Sequence, residues 1–146
     1  MLKFACLAMV VVVAPVLAAD HPDLTGTWLL DLSHSQVTDS KLKSETLQIK
    51  QKEDMVAMTD DANSGGKERK LEFDCLADGS TCKAKDASVS VYYNGPILVV
   101  LEMRHNNEYV IKKRLKLSED GKTLTIEVAH VSPPGNKDDN LTFVKQ

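Results

Sequence analysis

From Gly26 onward the chain alternates apolar and polar residues. The clearest run is Lys122 to Val131 (KTLTIEVAHV), with Leu124, Ile126, Val128 and His130 on one face and Thr123, Thr125, Glu127 and Ala129 on the other. A period of two marks a pleated strand with one buried face. ASVSVYYN, ILVVLEMR and EYVIKKRLKLS precede it, separated by Asn94-Gly95-Pro96 and His105-Asn106-Asn107. Links this short cannot carry a parallel crossover, so these strands are expected to be antiparallel neighbours. Further strands are predicted at Gly26 to Leu32, Glu45 to Gln51, Met55 to Thr59, Lys67 to Asp74 and Leu141 to Val144. Ser33 to Lys43 reads as a loop with a helical turn, and Asp60 to Gly66 (DDANSGG) as a flexible hairpin tip. The expected interior is aliphatic and includes Leu47, Ile49, Leu71, Phe73, Val91, Tyr93, Val99, Leu101, Ile111, Leu115, Ile126 and Val128.

Among these segments no run shows the three-to-four period of a long amphipathic helix. The expectation is an all-β, up-and-down antiparallel meander of about 8–10 strands. An open meander would expose long edges, which favours closure into a barrel, while the same turns would also serve a sandwich.

The first residues change what has to fold. Lys3, an apolar run from Phe4 to Leu17, and small residues at Ala18 and Ala19 have the order of a secretory signal peptide. Met1 to Ala19 is therefore expected to be removed, leaving one domain from Asp20 to Gln146 and no stable membrane span. The full chain of 146 residues carries a formal charge of −3, and losing Lys3 makes the remainder more acidic. Without a basic run, nucleic acid is not an expected partner. Once Cys6 goes with the leader, Cys75 and Cys82 remain as a pair, which suits a disulfide in an oxidising secreted or periplasmic setting. They flank Asp78-Gly79, a turn signal, so a bridged hairpin is predicted.

Leu24-Thr25-Gly26-Thr27-Trp28 at the first strand and Asp120-Gly121-Lys122-Thr123-Leu124 before a late one resemble the small secreted lipocalin-like proteins of bacteria, to which no activity is assigned. Asn94-Gly95-Pro96 and the Cys-x6-Cys segment fit the same group, while the Thr-Asp-Tyr motif of classical lipocalins is missing. The resemblance implies a lipocalin-like (calycin-like) barrel. It also implies that Trp28 plugs the closed end under an arginine from a late strand, for which Arg104 and Arg114 are the candidates. A plain core-filling tryptophan is the alternative.

Candidate chemistry centres on Lys113. Strict alternation in EYVIKKRLKLS puts Lys113 on the face of Ile111, Leu115 and Leu117, and Arg69 likewise shares the face of Leu71 and Phe73. A buried cation needs a carboxylate, from the protein or from a ligand. Lys113, Arg69, Tyr93 and His130 are therefore the expected ligand-binding set, with the two cations anchoring the acidic head of an apolar molecule. The alternative, which the Lys-Lys-Arg run favours, is a bulge near Lys112-Lys113 that turns Lys113 into water.

Metal and catalytic signals are sparse. His21 becomes the third residue only if cleavage follows Ala18, and the terminus Ala19-Asp20-His21 would then suit Cu(II) or Ni(II). Asp60-Asp61 and Asp138-Asp139 lack the ordered oxygen spacing of a calcium loop and read as solvated turns. Asn140-Leu141-Thr142 is a glycosylation acceptor only in a eukaryotic secretory pathway. The four histidines lie in separate segments, and no nucleophile elbow or phosphate loop is present. The expectation is a non-catalytic protein without a cofactor, holding a small apolar or amphipathic ligand. The alternative is an envelope structural or inhibitor-like interaction domain. Oligomeric state is not legible.

Overall fold

The computed structural model describes residues 21–134 and 138–146. The expected leader, and with it the Ala19-Asp20 half of the possible metal terminus, lies outside the described residues. Ten strands follow one another: β1 (Gly26–Leu30), β2 (Leu42–Lys52), β3 (Met55–Ser64), β4 (Lys67–Leu76), β5 (Asp78–Lys83), β6 (Ser88–Asn94), β7 (Ile97–Arg104), β8 (Tyr109–Leu117), β9 (Thr123–Ser132) and β10 (Asp139–Lys145). All pairings are antiparallel, in the order β4-β3-β2-β1-β10-β9-β8-β7-β6-β5. Consecutive strands pair throughout except at one place, where β4 and β5 form the two ends of the sheet. The sheet curls until those edges face each other, giving a nearly closed all-β barrel.

The disulfide therefore does a different job from the one its spacing suggests. Cys75 on β4 and Cys82 on β5 are bonded, with Cα atoms 5.8 Å apart, but their strands do not form a hairpin ladder. The bridge spans the seam of the barrel. Asp78-Gly79 is not a hairpin tip either. Gly79 has φ +82°, and the register shifts between Asp78 and Thr81. This is a bulge that bends the start of β5 towards the seam.

A second difference lies in β3, which runs through the expected flexible tip to Ser64. The reversal itself needs only Gly65 (φ +59°) and Gly66 (φ +82°), both left-handed, as a two-residue hairpin turn requires. In consequence Asp60 is an inward strand residue and not a solvated loop residue.

A third lies in β7. Val99 pairs with Tyr92 and Arg114, and Leu101 with Ser90 and Lys112, so both stand on the outer face. The inward residues are Leu98, Val100 and Glu102. ILVV is apolar on both faces, which hides the phase. Val99 is still buried, because Tyr92 and Arg114 flank it on that face.

Part of the interior is filled by apolar side chains. Trp28, Leu47, Ile49, Leu98, Leu115, Leu124 and Phe143 are all almost wholly excluded from water. Each such aliphatic or aromatic side chain contributes roughly 1.5–3 kcal/mol by burial. The rest is different in kind.

Candidate functional site: a charged cavity at the open end

The two ends of the barrel are built differently. At one end the lead from His21 to Thr25 crosses beneath the core. The Trp28 Nε1–H donates to the Leu24 carbonyl at 2.9 Å, and the Leu24 amide donates to Gln51 Oε1. Gln51 Nε2 in turn donates to the Tyr93 hydroxyl and to the Pro22 carbonyl. His21 stacks on the Tyr93 ring at 3.7 Å. Trp28 is fully buried, and the cation over its ring is Lys145, 5.4 Å from the centroid. Neither expected arginine fills that place. Arg114 points outward to Glu127 (3.1 Å), and Arg104 binds Glu102. Lys145 was hidden from a search for arginines, but it is the direct cross-strand partner of Trp28.

The opposite end is open. A cavity of about 270 Å3 lies there beneath the segment that joins β1 to β2. That segment begins with one 3-10 turn, Leu32–His34, capped by Asp31 Oδ1 on the Ser33 amide at 3.0 Å. It is then fastened along the rim. The Thr38 amide donates to Asp139 Oδ1 (2.7 Å), Ser64 Oγ to Asp39 Oδ2 (2.5 Å) and the Gly65 amide to the Lys41 carbonyl (2.9 Å). Leu42, Ala62, Ile111, Val128 and Leu141 supply apolar wall, while Glu45, Arg69, Lys113 and His130 supply polar wall.

Lys113 reaches inward, as strict alternation requires. The irregularity in β8–β9 pairing falls between Val110 and Ile111, opposite Val131, and leaves Lys113 in phase with Ile111 and Leu115. The alternative of a bulge that turns Lys113 into water is therefore overturned, since its side chain is only 6% exposed. Its partner is Asp60 Oδ2, at 2.5 Å. Arg69, half exposed at the mouth, lies 3.7 Å from the buried Glu45. Arg104 Nε binds Glu102 at 2.5 Å. Three cations thus meet three carboxylates on the inner face.

The electrostatics of this cluster are uneven. Burial pushes the Asp60 carboxyl up, but the Lys113 ammonium and then Arg69 outweigh it, and Asp60 stays ionised below the usual range. Burial likewise pushes Lys113 down, yet the Asp60 charge outweighs this and holds the ammonium. Glu45 goes the other way. Burial first and the Asp60 charge second raise it to about 7, against weaker help from Lys113 and Arg69. One buried oxygen, Asp60 Oδ1, has no donor among the described residues. A protonated Glu45 carboxyl is within hydrogen-bonding reach of Asp60.

The structure brings together three of the four residues singled out from sequence. Lys113, Arg69 and His130 line the cavity. Tyr93 does not, because it belongs to the closed-end plug. The carboxylates were missed. Asp60 continues the inward row of Val56 and Met58, Glu45 that of Leu47 and Ile49, and Glu102 that of Leu98 and Val100. Each carried the signal of an acid in phase with an aliphatic face. Among the described residues no cluster of histidine, cysteine and acid side chains is arranged to hold a metal.

The fold can now be compared with known proteins. No protein-family model matches this sequence, and a search among curated proteins finds no match. Solved structures do match. The REP1-NXSQ fatty acid transporter superposes with a TM-score of 0.60 at 10% identity, over 84% of this chain and 96% of that one. Apo lipid binding protein 8 of Caenorhabditis elegans gives 0.59 at 18% identity, over 84% and 95%. Fatty-acid-binding protein 1 of Echinococcus granulosus gives 0.57 at 12% identity, over 83% and 96%. The fold is the lipocalin-like barrel of the fatty-acid-binding proteins. At these identities the likeness is one of architecture, and function rests on the cavity itself.

Proposed function

We propose that this chain is a non-catalytic binding protein that holds one small apolar or amphipathic molecule at the open end of its barrel. The observation that carries this reading is the cavity of about 270 Å3, apolar along its walls and charged at its base and mouth. A few convergent polar groups in an apolar cleft are the usual make-up of a ligand site, and the volume lies just below the typical range of about 300–1,000 Å3, as suits a small ligand. Trp28, Leu47, Ile49, Leu98 and Phe143 fill the interior towards the closed end, which favours a small ligand. That the structural neighbours include proteins named for fatty-acid and lipid binding supports the same class of ligand. The leader pattern at Met1 to Ala19 and the seam disulfide favour a secreted or periplasmic setting.

The interaction-domain reading has less support. Large exposed apolar residues are scattered, with Leu29 opposite Val144 on β1–β10 the chief adjacent pair. Fluorescence titration with short-chain fatty acids, alcohols and aromatic acids tests the proposal. Saturable one-to-one binding is expected, and it is lost in Ala62→Phe, which fills the cavity. Absence of saturable binding across all of these ligands rejects the proposal.

A further inference from the structure

We infer that the site takes a single-headed anion with an apolar tail, and that Glu45 gives up Arg69 to the incoming head group by taking on a proton, so that binding and proton uptake are one event. This rests on the binding reading above and specifies the ligand class and its regulation.

Counter-ions carry the inference. Lys113 is fully engaged with Asp60 across the lumen, and Arg104 with Glu102, both at 2.5 Å. Arg69 alone stands at the mouth, with its side chain 51% exposed, and its contact with Glu45 is loose at 3.7 Å. Among the described residues it is the one internal cation that a ligand reaches from solvent without breaking a tight pair. With Glu45 ionised, the cluster of Arg69, Lys113 and Arg104 against Glu45, Asp60 and Glu102 is neutral. A fourth anion then adds an unbalanced negative charge in a poorly hydrated place.

Protonation of Glu45 removes that obstacle and meets a second need. A protonated Glu45 is a donor beside the Asp60 carboxylate, whose Oδ1 has none among the described residues. Balance is simple: one proton leaves solvent for Glu45, one anion enters against Arg69, and no covalent bond changes. The other charged or titratable groups around Glu45 are Asp60 on β3, Arg69 on β4, Lys113 on β8, His130 on β9, Asp139 on β10 and Asp39 in the rim segment, with the Glu102–Arg104 pair of β7 beyond Lys113. Asp39 and Asp139 are occupied by Ser64 and Thr38. His130 also lines this cavity, so the test must separate it from Glu45.

The test is calorimetric titration with octanesulfonate, whose head stays charged at every pH used, and with 1-octanol as the neutral comparison. With Glu45 titrating near 7, sulfonate affinity falls about tenfold from pH 6 to pH 8 by linkage. At pH 8, buffers of different ionisation enthalpy report close to one proton taken up per sulfonate. Octanol shows neither effect. Glu45→Gln, neutral and still a donor to Asp60, binds the sulfonate equally at both values and takes up no proton. Arg69→Leu loses the sulfonate preference over octanol. Should the variants misfold, proton uptake by the wild-type chain and the carbon-13 titration of its Glu45 carboxyl decide the matter. Sulfonate binding without pH dependence, or a slope that survives in Glu45→Gln, overturns the inference and leaves the binding reading intact. If neither probe binds at any pH, both fall.

Discussion

Lys113 and Asp60 sit on opposite walls of the barrel and meet in its lumen. Their strands, β8 and β3, are five places apart in the ten-strand order, whichever way round the ring is followed. The 2.5 Å contact is therefore a cross-lumen tie and not a neighbour effect within the sheet. It closes the floor of the cavity, and both side chains are nearly sealed from water. An ion pair in such a place adds little net stability, because desolvation offsets the attraction. Breaking one half of it is another matter.

Lys113→Met should accordingly destabilise the chain by about 3–5 kcal/mol, by leaving Asp60 charged and unpartnered. The double variant Lys113→Met with Asp60→Leu should recover most of that loss, since it replaces the pair with apolar volume. Urea unfolding of the two single variants and the double variant gives the coupling directly. Additive losses would show that the two groups do not depend on each other.

The pH dependence of stability follows from Glu45 and has a definite sign. Its folded value of about 7 lies above the ordinary 4.5. A raised carboxyl favours the folded chain fully below the unfolded value, and this contribution is lost as pH climbs from 4.5 through 7. The span corresponds to something on the order of 3 kcal/mol. Asp60 acts in the opposite sense. Its folded value is depressed, so its contribution is present above 3.8 and disappears as pH falls further. Unfolding in urea at pH 5 and pH 8 should show the wild-type chain weaker at pH 8 and Glu45→Gln nearly indifferent. Parallel pH profiles for the two proteins would contradict the assignment.

Alternation around Ile126 and Leu47 was enough for an antiparallel all-β meander, because a buried face imposes period two on each strand, while closure into a barrel was only favoured over a sandwich. Strict alternation also put Lys113 and Arg69 on inward faces, although the Lys-Lys-Arg run favoured a bulge that would have turned Lys113 outward. The bulge at Val110–Ile111 lies just before Lys113 and does not reverse it. The partners were harder. Asp60 sits in DDANSGG, whose composition suggests a loop, and only its register two residues beyond Met58 showed that it points inward. The phase of β7 was invisible because ILVV is apolar on both faces. Which end a residue occupies depends on the wrapping of the whole sheet, so Tyr93 was grouped with Lys113 although it plugs the far end. The seam was beyond local reading, since pairing across β4 and β5 is settled by all ten strands together.

Gly26 links the closed end to a backbone requirement. Its φ of +150° is one that residues with a side chain rarely adopt, and an added Cβ would lie 2.9 Å from Cε of Lys145. The lysine tip can swing aside, which leaves the backbone conformation as the larger cost. Gly26→Ala should therefore destabilise by about 1 kcal/mol or somewhat more. It should also displace the ammonium from Trp28, the only tryptophan in the chain. Intrinsic fluorescence reads both effects at once, as a shift in emission of the folded protein and an earlier urea midpoint. Unchanged emission with an unchanged midpoint would mean that neither the glycine nor the lysine contact matters.

The seam makes the last prediction. Neighbouring strands elsewhere in the sheet are zipped by backbone hydrogen bonds, but β4 and β5 are not paired with each other. Cys75–Cys82 is the covalent tie between them, across a sequence separation of 7. Loop-entropy reasoning for so short a closure gives about 2 kcal/mol. Replacing both cysteines by serine should cost roughly that much, and the damage should be local. Amide hydrogen exchange should quicken along β4 and β5, while β9 and β10 in the middle of the sheet keep their protection, because opening begins where the fewest backbone bonds must break. Since β4 with its inward residue Arg69 borders that seam and β3 with Asp60 lies next to it, the loosened barrel should also bind octanesulfonate more weakly. Uniformly faster exchange in all ten strands would show instead that the bridge supports the barrel as a whole and has no special role at its edge.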